Sequence, residues 1–424
     1  MSDYLIENSS LKQIRKSIVS SLVGQLGSQS FNFALGLMLL TKTGSSLSFA
    51  ASQVIGPIIS LLFVPIVGPT VDRLSKKQVI AVSQIATIIG LIGYALSLRY
   101  FAFNILPPTL ILITILAVSD QFTLTAYNAG AKGLVLDAHQ TKLRGLQQSA
   151  GAIGQFIAPI LGAALYSVVP FTLFVMIEVS CELVTLGIAL SLNFRLNSGT
   201  GEKQIGQEDL SFSAGLTFFK KQKTLISLLV LALFMNFCVG AFTIGIASVL
   251  ITSLKFSATT YGFVQSAFVF GSLLSGLVIS QMKSSKYPLQ KVWGAMIGIA
   301  LCLLVFGIVP FVFEKSVLTA GLIMLTSFIL AGISNLVNVP FFSWLGEHIP
   351  EQMQGRIFGL VTTFATALTP ISFAIFGCLY DVRTLPTLTM NLWIFSCCSL
   401  GVLSLYVIGR VILKIDLKHV TIVD

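Results

Sequence analysis

Three carboxylates stand inside long apolar runs of this chain: Asp120, Glu178 and Glu182. Glu178 and Glu182 are four residues apart, so on a helix they share one face. A charge in hydrocarbon costs about 2.5–3.5 kcal/mol or more unless it is paired, hydrated or neutralised. Acids withdrawn from water, and acids sharing a face, can take up and release protons near physiological pH. Asp120, Glu178 and Glu182 are therefore the candidate proton carriers. For Glu178 and Glu182 a second reading stays open, that of protonated acids bonded to neighbouring helices without turning over. No lysine or arginine falls inside these runs as a fixed partner, and Arg99 and Lys255 sit at run ends, from which basic side chains reach the interface.

A second constellation is Gly68-Pro-Thr-Val-Asp72-Arg73-Leu-Ser-Lys76-Lys77, between an apolar run ending at Val67 and another starting near Val79. A carboxylate closing one helix is favoured beside the positive amino-terminal end of another, which makes Asp72 a candidate latch. The alternative is a tight loop whose charges anchor it to lipid headgroups.

The elements that position these groups follow from composition. Of the 424 residues 55% are hydrophobic and 10% charged, and the mean hydropathy is +0.91. Such a chain is solvated by lipid, where every backbone polar group must be satisfied internally and runs of about 20 apolar residues become helices. Hydropathy predicts spans at 17–41, 49–71, 79–98, 106–129, 145–168, 170–192, 225–252, 258–282, 290–312, 317–343, 356–379 and 387–410. The first follows Lys12, Arg15 and Lys16 but is too long for a leader and lacks a small-residue cleavage site, so it reads as a retained span.

A polar stretch divides the chain into residues 1–192, a linker at 193–224 and residues 225–424. Leu210, Phe212, Leu216 and Phe219 could give the linker an interfacial apolar stripe, or it is a plain connector. With the amino terminus inside, all of the 26 Lys and Arg except Lys42, Arg99, Lys255, Lys315 and Arg383 fall on the cytoplasmic side. Both termini are then cytoplasmic. The net charge of +10 reports topology and attraction to anionic lipids, and gives no case for nucleic acid. Cys181, Cys238, Cys302, Cys378, Cys397 and Cys398 all lie in predicted spans, against a disulfide or zinc framework. His139, His348 and His419 have no metal spacing.

A faint internal repeat joins the halves. Ile115-Leu-Ala117 recurs as Ile329-Leu-Ala331, and a basic-glycine junction opens the following span in each half, Lys142-Leu-Arg144-Gly145 and Gln354-Gly355-Arg356. The Asp72 loop, the two halves about a linker, and Pro350-Glu-Gln-Met-Gln-Gly355-Arg356 together resemble the major facilitator superfamily of secondary transporters. Leu40-Thr-Lys-Thr-Gly44-Ser45 and the Gly145 to Leu165 segment are similar to the macrolide-efflux and siderophore-exporter branch of bacterial multidrug exporters. The resemblance implies an all-α membrane protein with twelve transmembrane helices in two pseudo-symmetric six-helix bundles. It also implies that Asp72 meets the eleventh helix near Arg356, making Gly68, Asp72, Arg73, Lys76, Lys77 and Arg356 a latch that opens and closes as the halves rock.

Three departures from the family pattern stand out. Ser75 replaces a loop glycine, the fourth span has no arginine, and Ala158 precedes Pro159 where the antiporter signature of the fifth span has glycine. Gly151, Gly154, Pro159 and Gly162 remain for close, bent packing of that span.

The resemblance builds the cavity from spans one, four, seven and ten. Their mid-span polar residues are Gln25, Gln29, Asn32, Asp120, Gln121, Asn236, Asn335 and Asn338, with Phe122 among the neighbouring aromatics. Phenylalanine numbers 32 in all. These aromatics face the cavity, or pack against lipid and other helices. An aromatic pocket with scattered amides suits a small amphipathic substrate better than a sugar. The reading is a proton-coupled exporter of drugs or secondary metabolites in the plasma membrane, monomeric and without cofactor. A solute importer or symporter, and a membrane sensor that kept the fold but lost transport, are the alternatives. No nucleophile–base pair, phosphate loop or metal cluster supports an enzyme.

Overall fold

The computed structural model describes residues 2–100, 104–194, 196, 223–282, 290–349, 358, 361–382 and 384–412. Most of the linker at 193–224 lies outside the described residues, as do Arg356 with the run that precedes it, Lys283, Lys286, Arg383, Lys414, Lys418 and His419.

Twelve α-helices occupy the described residues. In chain order they are α1 (Ser2–Thr43), α2 (Ser46–Arg73), α3 (Lys76–Tyr100), α4 (Leu106–Leu134), α5 (Asp137–Val168), α6 (Phe171–Ser191), α7 (Lys223–Ala247), α8 (Ala258–Gln281), α9 (Gln290–Phe313), α10 (Val317–His348), α11 (Thr369–Asp381) and α12 (Thr387–Tyr406). A π-helical turn, Ser248–Ser253, continues α7, and another, Val407–Ile412, continues α12. Eleven helical segments among the described residues are long and apolar enough to cross a membrane, the eleventh helix counting as Val361–Asp381 with the turn that precedes it. α1 is not among them, because Gln25, Ser28, Gln29, Ser30 and Asn32 dilute its apolar stretch.

The boundaries follow local chemistry. Ser257 and Ser316 cap α8 and α10, each hydroxyl accepting from a backbone N–H three residues on, Thr260 at 3.2 Å and Thr319 at 3.1 Å. Pro107 and Pro108 start α4, where a missing N–H costs nothing. Ser75, in the place of the usual loop glycine, accepts from the Gln78 N–H and so caps α3. Inside the helices hydroxyls bond back to carbonyls one turn earlier, as Thr114 does to Leu110 and Ser327 to Ile323, which satisfies these donors within the helix.

α3 shows why this is a membrane fold. It buries Ile80, Ile88, Leu91 and Tyr94, yet its opposite face exposes Val82, Ile85, Ile89 and Leu96, with Val82 and Ile89 about two-thirds exposed (67% and 65%). A helix apolar on both faces needs a hydrocarbon solvent.

The chain divides into two compact units, Met1–Gly44 with Ala51–Lys203, and Ser45–Ala50 with Gln204–Asp424. In the first, α1 packs on α5 and α6, and α3 on α4 and α6. Its main core joins Phe31, Leu35 and Leu39 of α1 to Leu91 and Tyr94 of α3, Leu112 and Leu116 of α4, and Phe174 and Val175 of α6. In the second, α8 packs on α10, α9 on α10 and α12, and α7 on α11. Close approach rests on small residues. A Cβ at Gly162 of α5 would stand 2.5 Å from the Ser30 carbonyl oxygen of α1, and Gly271 of α8 meets the Phe328 carbonyl of α10 in the same manner.

Candidate functional site

The first unit holds a cavity of about 330 Å³ walled by α1, α2 and α4. Asn32 comes from α1, Ser52, Gln53 and Ser60 from α2, and Asp120 and Gln121 from α4. Gly56 and Pro57, in the middle of α2, also line it. A Cβ at Gly56 would meet nothing within 4 Å, and Pro57 supplies no N–H to the Gln53 carbonyl. Asp120 is exposed into this space, and among the described residues no lysine or arginine lines it. The acid is set among amides and hydroxyls, a polar surround that can solvate a carboxylate or share its proton.

Glu178 and Glu182 do not line that cavity. Both are buried on α6, Glu178 only 2% exposed, where α1 passes over them. A Cβ at Gly27 of α1 would stand 2.7 Å from a Glu178 carboxyl oxygen, so glycine is what lets the two helices meet there. That Glu178 oxygen has no hydrogen-bond partner among the described residues. Glu182 accepts from Thr185 at 3.4 Å, and Gln84 of α3 donates to the Thr185 hydroxyl at 2.9 Å. The acids thus form two groups, one facing a cavity and one sealed between helices.

Among the other expected cavity residues, Gln25 and Gln29 are bonded to each other along α1. Phe122 turns away and packs against the cluster of Val67, Val71, Val79, Ile80 and Ala126, because one residue along a helix rotates a side chain by about 100° from its neighbour Gln121. Asn236, Asn335 and Asn338 line a separate cavity of about 300 Å³ inside the second unit, between α7, α8, α9 and α10. Its walls are chiefly apolar, with Phe242, Phe268 and Phe341. The Asn335 amide donates to the Ser272 carbonyl of α8 at 2.7 Å and to the Ser275 hydroxyl at 2.9 Å.

Of the expected latch, Asp72, Arg73 and Lys77 are exposed, and Lys76 closes α2 by donating to the Val71 carbonyl at 2.8 Å. A Cβ at Gly68 would meet nothing. In α5, Gly154 and Gly162 lie against Gln25 and Ser30 of α1, Pro159 sits within the helix, and Gly151 has open space around it. Sequence reasoning passed over Gln53 and Ser60 of the first cavity, for which the Gly56-Pro57 pair was the available signal, and Phe268 and Ser272 of the second.

The family model described as Major Facilitator Superfamily matches residues 18–374. Macrolide efflux protein A of Streptococcus pyogenes is 22% identical over 373 residues, which cover 84% of each chain. Macrolide efflux protein A of Enterococcus faecalis is 22% identical over 319 residues, 73% of this chain and 94% of the relative. Among solved structures, nucleoside transporter NupG superposes with a TM-score of 0.75 at 13% identity, covering 95% of this chain and 100% of that one. The D-xylose-proton symporter does so with a TM-score of 0.64 at 15% identity, over 94% and 97%. At these identities the likeness to the solved structures is one of fold.

Proposed function

The chain belongs to the Major Facilitator Superfamily, and on that footing we propose that it is a proton-coupled exporter of amphipathic molecules, drugs or secondary metabolites, working by alternating access. That it is a transporter and no enzyme follows from the family. The observation that carries the finer reading is Asp120, an acid in a cavity wall that, among the described residues, holds no lysine or arginine. Such an acid can exchange a proton for a substrate, and each charge that crosses 100 mV supplies about 2.3 kcal/mol. Efflux, as opposed to uptake, is supported by the relatives named for macrolide efflux.

In this reading Glu178 and Glu182 hold protons behind α1. Asp72, with Gly68, Arg73, Lys76, Lys77 and Arg356, latches one state of the cycle. The protein works as a monomer in the plasma membrane, with both termini cytoplasmic and its basic loops toward anionic lipids.

The test uses inside-out vesicles carrying the chain, a fluorescent amphipathic substrate and an imposed pH gradient. Asp120→Asn should abolish gradient-driven transport while substrate counterflow continues. Equal loss of both would assign Asp120 to substrate binding or to the fold. Accumulation of substrate by intact cells, driven by the same gradient, would replace export with symport.

A further inference from the structure

We propose that the cavity of the second unit is a binding site for an aromatic body carrying an amine, whose N–H groups donate to the side-chain oxygens of Asn236 and Asn335. The inference rests on the reading of the chain as a carrier of amphipathic molecules, and it names the chemistry that this half of the protein selects.

The argument starts from amide orientation, which hydrogen bonding fixes here. A backbone carbonyl only accepts, so the side-chain group facing it must be the NH₂. In Asn236 that group donates to the Ala232 carbonyl, 2.9 Å away on the same helix. In Asn335 it donates to the Ser272 carbonyl at 2.7 Å, and also reaches the Ser272 and Ser275 hydroxyls at 3.1 and 2.9 Å. Flipping either amide would set oxygen against oxygen. Each amide oxygen is therefore the group left over for the cavity, with no donor reaching it from the described residues.

Asn338 adds a third amide to the lining, with a donor as well as an acceptor, and most of the remaining lining is apolar. Ser334 uses its O–H on the Leu330 carbonyl at 2.8 Å. Among the described residues no charged side chain lines the cavity. Phe242 is held by rings on two sides, Phe268 at 5.2 Å and Phe306 at 5.1 Å between centroids, so the aromatic wall is rigid.

A guest must satisfy what the cavity offers. A carboxylate would face the two amide oxygens of Asn236 and Asn335 in a chiefly apolar wall. A hydrocarbon would take water from the amide oxygens and return no hydrogen bond. A sugar would meet mostly apolar wall. An amine on an aromatic body gives donors to the oxygens, packs against phenylalanine, and in its protonated form gains from the ring faces. About 300 Å³ is at the small end of ligand pockets and fits one fused-ring body.

Two probes of nearly equal shape separate these terms: 1-naphthylmethylamine, and 1-ethylnaphthalene, which has no donor. Equilibrium binding to the purified full-length protein is measured for both. The amine should bind more tightly than the hydrocarbon. Asn236→Leu should weaken the amine by roughly tenfold, the factor expected when one such hydrogen bond is lost, and leave the hydrocarbon unchanged or tighter. Asn236→Asp should tighten the amine alone. Asn335 also ties α8 to α10, so Asn335→Leu can fail by unfolding; Asn236, bonded only within its own helix, keeps the test open. The proposal is overturned if wild type holds the two probes equally, or if Asn236→Leu weakens both alike or neither. It is also overturned if amine binding disappears with Asp120→Asn and survives Asn236→Leu, which would put the guest in the first unit. Binding is measured without a gradient, so a failure of proton-driven export would show in the vesicles and not here.

Discussion

The Asp381 carboxylate, at the last residue of α11, accepts a hydrogen bond from the backbone N–H of Ser46 at 2.6 Å. It also accepts from the Leu47 N–H at 3.2 Å and the Ser45 hydroxyl at 2.5 Å. Ser46 and Leu47 open α2, whose first N–H groups have no carbonyl of their own helix to meet. An acid far along the chain thus does the work of an N-cap and faces the positive end of the helix dipole. Gly377, one turn earlier in α11, makes room by lying against Leu47 and Ala50.

Removing that cap should be measurable. Asp381→Ala is expected to lower stability by about 1–2 kcal/mol, the usual loss for a cap, read as a lower thermal midpoint of the purified protein. Asp381→Asn keeps one acceptor and should fall between the two. A midpoint equal to wild type for the alanine variant would show that the contact carries no stability.

Where α1 crosses α6, the fit is between Gly27 and Glu178. A methyl group at Gly27 would stand 2.7 Å from the Glu178 oxygen and 3.0 Å from Cys181 Cβ, whereas one at Gly24 would reach only Thr185 Cγ2, at 3.4 Å. Gly27→Ala is expected to destabilise by about 1–3 kcal/mol, as overpacking does, and to reduce transport. Gly24→Ala should be nearly neutral by both measures. Similar losses in the two would mean that α1 tolerates or resists substitution for reasons of helix propensity, and that the Glu178 contact is not what matters.

The helices were legible because hydrocarbon allows few alternatives: the run expected at 79–98 is α3, Lys76–Tyr100, and the run expected at 387–410 is α12 with its π-helical turn. Asp120 was legible for the same reason, since a lone charge in an apolar run is conspicuous. What stayed hidden is what depends on rotation and on distant partners. Phe122 follows a cavity residue yet faces the core, because one step along α4 turns it away. Gln25 and Gln29 read as cavity groups, but at a spacing of four they reach each other. The pairing of Gly27 with Glu178 and of Asp381 with α2 joins residues far apart in the chain, and no local pattern announces either.

Asp72 ends α2 as an exposed acid. If it latches one state of the cycle, its charge changes the balance between states and leaves the cavities alone. Asp72→Asn is expected to slow transport up to severalfold with the substrate range unchanged, since an exposed charge–dipole contact worth about 0.3–1 kcal/mol shifts a two-state equilibrium by roughly two- to fivefold. Initial rates for a panel of amphipathic dyes check this. A changed order of preference among the dyes would count against the latch.

The second unit carries a buried polar chain whose members depend on one another. The Tyr380 hydroxyl of α11 donates to the Asn391 side-chain oxygen of α12 at 2.8 Å, and the Asn391 amide donates to the Phe306 carbonyl of α9 at 2.9 Å. Tyr380 is 6% exposed and Asn391 fully buried, so water cannot replace a lost partner. Asn391→Leu strands the Tyr380 hydroxyl and should cost about 2–4 kcal/mol. Tyr380→Phe leaves only an acceptor unfilled and should cost about 1 kcal/mol. The double variant should then be more stable than the sum of the two losses predicts, because the leucine no longer leaves a hydroxyl without a partner. Thermal unfolding of the four proteins measures the coupling, and strict additivity would mean that the three helices are held by their apolar contacts alone.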